Sequence, residues 1–340
     1  MKILITGGAG FIGSAFVRMV LERGHQAIVL DALTYAGHRD NLADVEGRIE
    51  FVHGDIRDGE LVASLLAKYQ VDAVVNFAAE SHVDNSISGP KAFLETNIMG
   101  TYELLERSLR HWRALSGEAK TKFRYLQVST DEVFGQLGAE GQFTETSPYA
   151  PNSPYSASKA AADHLVRAWH HTYGLPTVLT NCSNNYGPRQ FPEKLIPVMI
   201  QSCLNGRPLP VYGKGLNVRD WIHVEDHAAG VLLALEKGVL GESYCFGGNS
   251  ERTNIDVVKT ICTLMDEMRP QSAPHSKLIS FVTDRAGHDW RYAIDDRKAV
   301  EELGFKRRFA NFETGLRETV RWYLDHQSWV QNVSSKGAKS

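Results

Sequence analysis

Short apolar segments alternate with longer amphipathic ones along the first half of the chain. Six apolar segments are rich in β-branched residues and predict strands, and AVVNFA and YLQVS are the most continuous of them. Such runs are typical of strands buried on both faces. The predicted strands are 2–6, 26–31, 49–53, 73–77, 123–129 and 177–180, and the predicted helices between them are 12–23, 59–69, 90–112 and 156–173.

Strands that alternate with helices predict a parallel sheet joined by right-handed crossovers. The predicted fold class is therefore α/β, with a Rossmann-type doubly wound parallel sheet. A strand at DWIHV and a helix over 225–236 continue the pattern later in the chain, and further helices are predicted near 255–267 and 312–326. The alternation becomes irregular after residue 181, where five prolines interrupt it: Pro188, Pro192, Pro197, Pro208 and Pro210.

These changes in pattern predict two domains. At 340 residues the chain also exceeds the length at which one hydrophobic core usually stops growing. We assign 1–180 and 218–246 to a Rossmann domain, and 181–217 and 247–328 to a smaller, discontinuous α/β domain. The remaining residues, 329–340, end in NVSSKGAKS, which is poor in apolar residues, and they are predicted to be disordered.

Composition restricts the cellular compartment and the binding partners that we expect for the chain. The formal net charge of −3 gives no electrostatic reason to expect nucleic acid or an anionic membrane as a partner. No apolar run approaches the ~20 residues of a membrane-spanning helix. Four cysteines are too few for a disulfide scaffold, and neither they nor the scattered histidines form a metal-ligand cluster. We therefore expect a cytoplasmic protein without a metal site.

A glycine-rich turn follows the first predicted strand and opens the first helix. Gly7, Gly8, Gly10 and Gly13 allow a tight turn and let backbone N–H groups approach a pyrophosphate. The second strand ends in Asp31, a carboxylate placed to bind the ribose hydroxyls of a dinucleotide and to repel a 2′-phosphate. No arginine follows it directly, so the pattern predicts NAD rather than NADP. A solvated strand-end Asp is the plainer alternative.

Two further strand ends extend this predicted cofactor site. Asp55 and Ile56 follow the third strand, where a short acid could meet the adenine amino group. Phe77, Ala78 and Ala79 end the fourth strand, where small residues let the backbone pass close to a cofactor. Each feature alone is more often a plain loop. Together, successive strand ends outline one crevice, because the carboxyl ends of parallel strands meet at one edge of the sheet.

Tyr155 and Lys159 form a YxxxK pair, which places a phenol and an ammonium one helical turn apart on one face. An ammonium beside the phenol, with a cationic nicotinamide nearby, is expected to lower the pKa of Tyr155 from ~10. Tyr155 would then serve as the base for a hydroxyl proton. A surface helix with an ion pair is the plainer alternative.

The fifth predicted strand ends in the sequence Ser129-Thr130-Asp131-Glu132. Strand carboxyl ends line the ligand crevice of open α/β sheets. Two consecutive carboxyl groups there predict a general acid and a general base that are presented together. The alternative is that both carboxyl groups only cap the next turn.

Several longer motifs resemble a known family. GGAGFIG with Asp31, Thr130 and YSASK resembles the extended short-chain dehydrogenase/reductase superfamily. The triplet TDE, with AAESHVDNS, NNYGP, FPEKLIP, RDWIHVEDH and RAGHDWRYAID, resembles the dTDP-glucose 4,6-dehydratase family over residues 1–323. Asp131 distinguishes the dehydratase family from the nucleotide-sugar epimerases of this superfamily, because the epimerases usually have apolar residues after the Ser or Thr. GDP-mannose dehydratases and UDP-glucuronate decarboxylases tend to have Ser-Glu there.

The resemblance implies roles for five residues. Thr130 would hydrogen-bond the glucose 4-hydroxyl, Tyr155 would deprotonate it, and Lys159 would hold Tyr155 and the nicotinamide ribose. Asp131 would protonate the departing 6-hydroxyl, and Glu132 would remove the C5 proton. The implied product is dTDP-4-keto-6-deoxy-glucose, which feeds the biosynthesis of deoxysugars such as rhamnose.

The resemblance also implies binding residues and an assembly. The homodimer would form through helices 90–112 and 156–173, with Leu104, Leu105, Leu109, Leu165, Val166 and Trp169. The implied NAD contacts are Gly7, Gly10, Phe11, Ile12, Gly13, Asp31, Leu33, Thr34, Asp55, Ile56, Phe77, Ala78, Ala79, Ser81, Thr96, Tyr155, Lys159 and Asn181. The smaller domain would bind most of the nucleotide sugar, with contacts from Ser81, His82, Thr130, Asn184, Glu193, Lys194, Leu195, Pro210, Tyr212, Arg219, Asn254, Arg285, His288 and Tyr292.

Two other activities remain open on the residues alone. A 4,6-dehydratase of another nucleotide-glucose, UDP- or CDP-linked, would share all of the chemistry and differ only in its contacts to the base. A nucleotide-sugar 4-epimerase would use the same tyrosine and cofactor but would have no use for the acid pair.

Overall fold

The computed structural model describes residues 1–284 and 287–337. No helix in these ranges is both long and apolar enough to cross a membrane. The strands are β1 (Lys2–Thr6), β2 (Gln26–Asp31), β3 (Glu50–His53), β4 (Ala73–Asn76), β5 (Arg124–Thr130), β6 (Thr177–Cys182), β7 (Asn184–Tyr186), β8 (Leu209–Tyr212), β9 (Val218–His223), β10 (Ser243–Phe246), β11 (Glu251–Thr253) and β12 (Ile279–Val282). The helices are α1 (Phe11–Glu22), α2 (Gly59–Tyr69), α3 (Val83–Ser88), α4 (Pro90–Phe93), α5 (Thr101–Ala114), α6 (Gly117–Lys122), α7 (Pro154–Tyr173), α8 (Leu195–Leu204), α9 (Val224–Lys237), α10 (Asn254–Met268), α11 (Phe312–Asp325) and α12 (Gln327–Gly337).

Seven strands form one fully parallel sheet in the order β3-β2-β1-β4-β5-β6-β10. Their side chains alternate between two apolar layers, because successive residues of a strand point to opposite faces. Ile3 and Ile5 pack with α1 and α9, whereas Leu4 packs with α2, α5 and α7. The strand order reverses between β1 and β4, where a doubly wound sheet opens a crevice at its carboxyl edge. The predicted fold class is confirmed.

The smaller domain contains a three-stranded sheet, β11-β9-β7, and the parallel pair β12-β8. Its apolar core is shared by α8, α10, α11 and α12. β9 pairs with β7 and β11 and not with the large sheet, although Ile222 packs in the same apolar layer as α1 and α9. The chain returns to the large sheet with α9, which packs on α1, and with β10, which pairs with β6. The apolar pattern of DWIHV predicts a strand but does not tell which sheet it joins.

The C-terminal segment differs from its prediction. Residues 327–337 form α12, and Trp329, Val330 and Val333 are buried in the core of the smaller domain. The Trp329 indole also donates a hydrogen bond to Asn41 Oδ1 at 2.9 Å and so ties the helix to the Rossmann domain. The prediction of disorder for 329–340 is therefore wrong for the described part, because these three side chains share one helix face. Residues 338–340 lie outside the described ranges.

The other predicted elements are confirmed to within about two residues at each end, with one exception. The helix predicted over 90–112 consists of α4 and α5 joined by a π-helical segment, Leu94–Gly100. Segments of this kind insert an extra residue into a helical turn and are frequent at functional sites. β6 also extends to Cys182, two residues further than predicted.

Candidate active site

A crevice of about 430 Å³ opens at the carboxyl edge of the large sheet, at the ends of β1, β2, β4, β5 and β6. It brings together most of the residues that the sequence predicts for cofactor binding and catalysis. Those that line it are Gly7, Gly10, Phe11, Ile12, Gly13, Asp31, Thr34, Asp55, Ile56, Phe77, Ala78, Ala79, Ser81, Thr96, Thr130, Asp131, Glu132, Tyr155, Lys159, Asn184 and Lys194.

The glycine turn at one end of the crevice has no room for side chains. Gly7 has a φ of +68°, and a Cβ atom on it would lie 2.6 Å from the backbone nitrogen of Ala78. A Cβ atom on Gly13 would lie 2.2 Å from the carbonyl oxygen of Gly7. α1 begins at Phe11, and Gly10 before it provides no side-chain cap for the first N–H groups. This cradle of backbone N–H groups at a helix N-terminus fits the pyrophosphate of a dinucleotide.

Asp31 closes the cradle at the end of β2. Its two carboxylate oxygens accept hydrogen bonds from the backbone nitrogens of Ala9 and Leu33, each at 2.8 Å. Burial raises the pKa of Asp31, and these two bonds act in the opposite direction. The bonds hold the carboxylate beside the glycine turn, where the ribose hydroxyls of a dinucleotide would lie. Leu33 supports Asp31 through its backbone and is not itself part of the crevice lining.

The acid pair lies at the end of β5, in a short 3₁₀ turn over Asp131–Phe134. The Thr130 hydroxyl donates to Asp131 Oδ1 at 3.3 Å and accepts from the backbone nitrogen of Glu132, also at 3.3 Å. Asp131 is 2% exposed, and its Oδ2 has no hydrogen-bond partner among the described residues. Burial, followed by the charges of Glu132 and Asp220, raises the pKa of Asp131 well above its usual range. Adjacent carboxyl groups in one cleft therefore favour a protonated Asp131.

Tyr155 and Lys159 are both buried beside the acid pair, on the first turns of α7. The Lys159 ammonium donates to the carbonyl oxygen of Val128 at 2.7 Å. The pKa of Tyr155 is raised, by burial first and then by Glu132, Cys182 and Asp131. This direction is opposite to the one predicted from the YxxxK pattern, because burial and the nearby acids outweigh the hydrogen bond to Thr130, which lowers the pKa.

Local sequence explains why α7 begins just before Tyr155. Ser153 caps the helix by accepting from the Ser156 backbone nitrogen at 3.1 Å, in a capping box, and Pro154 occupies the first helical position. Asn97, in the π-helical segment, donates to Ser158 Oγ at 2.8 Å. The same side chain accepts from the Glu80 backbone nitrogen at 2.8 Å. It thereby locks α7 to the loop that follows β4.

The far end of the crevice is formed by two loops that contact one another. Lys194 Nζ donates to the Ser81 carbonyl oxygen at 3.3 Å, and the Ser81 hydroxyl lies 3.3 Å from the Tyr35 hydroxyl. His82 Nε2 lies 3.7 Å from Glu193 Oε1. The predicted substrate residues of the two loops are therefore neighbours, although more than 100 positions separate them in sequence.

Arg219 and Tyr292 form a second group next to the acid pair. The Arg219 guanidinium lies 4.3 Å from the centre of the Tyr292 ring and donates to the carbonyl oxygens of Val218 at 2.7 Å and Asp289 at 2.9 Å. The Tyr292 hydroxyl donates to the Asp289 carboxylate. The charge of Arg219 counteracts the rise in the pKa of Asp131, so this group lies close to the reacting end of the crevice.

The remaining predicted nucleotide-binding residues do not line the crevice. Leu195 begins α8, Asn254 begins α10, and Pro210 and Tyr212 are exposed on β8. Tyr212 makes an edge contact with His288, whose Nδ1 lies 2.6 Å from Asp284 Oδ1. Arg285 lies outside the described residues.

Several lining residues were missed by the sequence analysis. Cys182 lines the crevice where Asn181 was expected, because β6 is two residues longer than predicted. Asn181 is fully buried behind it and donates to the Thr130 carbonyl oxygen at 3.0 Å. No apolar pattern signals this extension, because Thr180 and Asn181 are polar. Tyr35, Glu80 and other loop residues also line the crevice, and no local pattern marks them.

Comparison with known proteins gives consistent matches over nearly the whole chain. The family model described as GDP-mannose 4,6 dehydratase matches residues 4–319. A dTDP-glucose 4,6-dehydratase of Xanthomonas campestris pv. campestris (strain B100) is 58% identical, over 97% of this chain and 95% of that protein. The crystal structure of a dTDP-glucose 4,6-dehydratase from Streptomyces venezuelae, solved with NAD bound, matches with a TM-score of 0.90 at 46% identity. That match covers 98% of this chain and 100% of the other.

The fold is also shared with an epimerase. The structure of a UDP-glucose 4-epimerase from Thermotoga maritima matches with a TM-score of 0.86 at 27% identity, over 96% of this chain and 100% of that one. The fold therefore does not separate the two activities, and the residues of the crevice have to do so.

Proposed function

The chain belongs to the dTDP-glucose 4,6-dehydratase family, and we propose that it carries out the whole reaction with Thr130, Asp131, Glu132, Tyr155 and Lys159. It is an NAD-dependent hydro-lyase, and it converts dTDP-glucose to dTDP-4-keto-6-deoxy-glucose and water. The assignment to these residues rests on one observation above all. A buried carboxyl group with a raised pKa, Asp131, lies next to a second carboxyl group on the strand end that also bears Thr130.

NAD is the cofactor, and when bound it accepts a hydride from C4 of the sugar and later returns it to C6. The glycine turn and the start of α1 would hold its pyrophosphate. Asp31 would bind the adenosine ribose, and Asp55 would lie towards the adenine. In this structure Asp55 forms an ion pair with Arg57 at 2.7 Å, which orients its carboxylate. Lys159 would bind the nicotinamide ribose.

The first chemical step is the removal of the 4-hydroxyl proton by Tyr155. Thr130 orients that hydroxyl by a hydrogen bond, since its own hydroxyl lies at the strand end between the acid pair and the tyrosine. Burial favours the neutral phenol, so Tyr155 needs neighbouring positive charge in order to act as a base. The Lys159 ammonium and a bound cationic nicotinamide ring would provide it.

The second step is the elimination of water across C5 and C6. Oxidation at C4 makes the C5 hydrogen acidic, because it then lies α to a ketone. Glu132 takes this proton as the general base, and Asp131 donates its own proton to the departing 6-hydroxyl. A proton then returns to C5 as C6 is reduced. The opposite protonation states of the two acids follow from their shared, buried environment.

The nucleotide part of the substrate would bind on the side of the smaller domain. Ser81, His82, Asn184 and Lys194 would contact the sugar and the phosphates, and Arg219 would contact the pyrophosphate with its planar guanidinium. The other residues predicted to contact the nucleotide sugar are Glu193, Leu195, Pro210, Tyr212, Asn254, Arg285, His288 and Tyr292.

The base specificity is tested by offering the purified protein dTDP-, UDP-, GDP- and CDP-glucose. We expect mass spectrometry to show the loss of one water from dTDP-glucose, at a rate on the order of tenfold or more above the other three, since mismatched base contacts usually cost at least that much. Faster conversion of the UDP- or CDP-linked sugar would contradict the proposed substrate while leaving the reaction type in place.

NAD is expected to act as a bound catalyst and not as a cosubstrate, because the hydride leaves and returns within one turnover. The purified protein should therefore carry NAD, and the absorbance of the reduced cofactor should not increase as substrate is consumed. Formation of reduced cofactor in proportion to sugar consumption would indicate a simple dehydrogenase instead.

A homodimer is the proposed assembly, with an interface on the two helical regions predicted from the sequence, 90–112 and 156–173. Leu104, Leu105, Leu109 and Val166 are buried within their own domain. The same region instead exposes three other apolar side chains, with exposed fractions of 48% for Leu94, 52% for Met99 and 43% for Tyr173. Leu165 and Trp169, which are half-buried, lie on the same helix as Tyr173. This apolar surface supports an interface formed by α5, α7 and the π-helical segment.

Light scattering is expected to give the mass of a dimer for the wild-type protein. Replacing Met99 by Arg should shift the equilibrium towards monomers, because a charge would be buried in the interface. Val300→Arg is the control. Val300 is an apolar residue outside this region with a similar exposed fraction, 43%, and its replacement should leave the dimer mass unchanged. A wild-type monomer at all concentrations would rule out the dimer.

A cytoplasmic location is proposed on the state of the cysteines. All four, Cys182, Cys203, Cys245 and Cys262, are buried free thiols, as is usual in a reducing compartment.

A 4-epimerase is the second candidate activity, and it is favoured only by the shared fold. It would return a sugar of unchanged mass in the mass-spectrometric experiment.

A further inference from the structure

One fully buried carboxyl group has no part in the steps above. Asp163 lies one turn beyond Lys159 on α7, is 0% exposed, and does not line the crevice. Its Oδ2 accepts hydrogen bonds from the Ser129 hydroxyl at 2.6 Å and from the Tyr149 hydroxyl at 3.1 Å. Its Oδ1 is buried without a hydrogen-bond partner among the described residues. Because a buried carboxylate is costly unless a nearby charge compensates it, a compensating cation is expected close by.

Lys159 is that cation. The Lys159 ammonium is itself buried, and among the described residues its hydrogen-bond partner is the carbonyl oxygen of Val128. Burial lowers its pKa, and the charge of Asp163 is the strongest influence in the opposite direction. In turn, burial raises the pKa of Asp163 to about 6, and the charge of Lys159 is the strongest influence that lowers it. Each group therefore favours the charged form of the other.

Three other titratable groups face Asp163. Tyr149 comes from the loop before α7 and Tyr125 from β5, and the pKa of each is raised by burial and also by the charge of Asp163, so both stay neutral. Arg167 lies one turn further along α7, where it is half-buried, donates to Ser243 Oγ at 3.1 Å and lines a second cavity. The charge of Arg167 also lowers the pKa of Asp163, but Lys159 has the larger influence, and Lys159 is buried whereas Arg167 is half-buried. Lys159 is thus the cation that depends on Asp163.

We propose that Asp163 is a positioning residue that keeps Lys159 charged and fastens the end of β5, through Ser129, to α7. The electrostatic interaction with Lys159 acts on the helix that carries Tyr155 and Lys159. The hydrogen bond from Ser129 acts on the strand that carries Thr130. The inference rests on the proposed function, because it concerns the same five residues. Asp163 acts only through these neighbours and touches neither the sugar nor the cofactor.

The direct test follows the charge of Asp163 without any substrate. Infrared difference spectra of wild type against Asp163→Asn isolate the band of the protonated carboxyl group as the pH is varied. We expect a midpoint near the pKa of about 6, and a higher midpoint in Lys159→Met, because the compensating cation is gone. An unchanged midpoint in Lys159→Met would overturn the proposed coupling, whatever reaction the protein catalyses.

The second test is the pH profile of kcat. Asp163→Asn keeps the shape and the acceptor for Ser129 but removes the negative charge, so the pKa of Lys159 falls. The activity lost at high pH, as the ammonium deprotonates, should then be lost roughly one pH unit or more lower than in wild type. KM should change by less than about twofold, since no substrate contact is removed. A uniformly lower rate with a profile parallel to that of wild type would overturn the inference.

Tyr149→Phe provides a variant that keeps the charge. It removes one donor to Asp163, so the pKa of Asp163 rises, and the midpoint of its carboxyl band in the infrared spectra should lie at higher pH than in wild type. The loss at high pH should stay unchanged. If Asp163→Asn does not fold, as judged by circular dichroism, infrared difference spectra of wild type against Lys159→Met decide, and an unchanged carboxyl midpoint would overturn the inference. An inactive wild type would instead contradict the proposed function, and the infrared test would still stand.

Discussion

Replacing Glu132 by Gln is expected to lower turnover by about 10²–10⁴-fold, the usual effect of losing a positioned proton transfer. The amide keeps the size of the side chain but cannot take the C5 proton. Thr130, Tyr155 and Lys159 remain in place, so the variant should still oxidise C4 and accumulate reduced cofactor on the enzyme. It should exchange almost no C5 hydrogen with solvent when the reaction is run in heavy water.

Glu145→Gln is the matched control for this variant. Glu145 lies outside the crevice, where it accepts a hydrogen bond from the Cys245 backbone nitrogen at 2.8 Å, and Gln can accept the same bond. Its turnover should stay within about twofold of wild type. Near-normal turnover in Glu132→Gln would mean that the acid pair only caps the turn after β5, and the 4-epimerase activity would then be the better account.

Replacing Asp131 by Asn is expected to cause a loss of similar size, about 10²–10⁴-fold, at a different bond. The raised pKa of Asp131 keeps its carboxyl group protonated at a pH where an ordinary aspartate is ionised. Asn has the same shape but no acidic proton for the departing 6-hydroxyl. Glu132 is still present, so the variant should exchange C5 hydrogen into heavy water while it releases little or no water from C6.

The decisive observation is whether the two variants differ in the exchange of C5 hydrogen with solvent. Both should retain bound NAD in wild-type amount, since neither residue belongs to the glycine turn. If Asp131→Asn lost C5 exchange together with turnover, Asp131 would act by positioning Thr130 or Glu132, to which it is connected through the Thr130 hydroxyl. The roles assigned to the two acids would then have to be revised.

The order of elements and the position of the crevice follow from the sequence alone. The alternation of apolar runs and amphipathic helices determines a parallel sheet, and the carboxyl ends of parallel strands meet at one edge. The residues that follow β1, β2, β4 and β5 were therefore identified from local patterns: the glycine turn, Asp31, Phe77 to Ala79, and Thr130 to Glu132. The YxxxK spacing placed Tyr155 and Lys159 on one face of a helix.

Only the tertiary structure decided which segments pair and what surrounds each charge. The sheet that β9 joins and the packing of α12 against Asn41 depend on contacts between distant segments, which no local pattern contains. The direction of the Tyr155 pKa and the link between Lys159 and Asp163 depend on burial and on charges brought close by folding. Local periodicity determines an element and its buried face, whereas electrostatic energies depend on distance and on the exclusion of water, and both of these arise only in the folded chain.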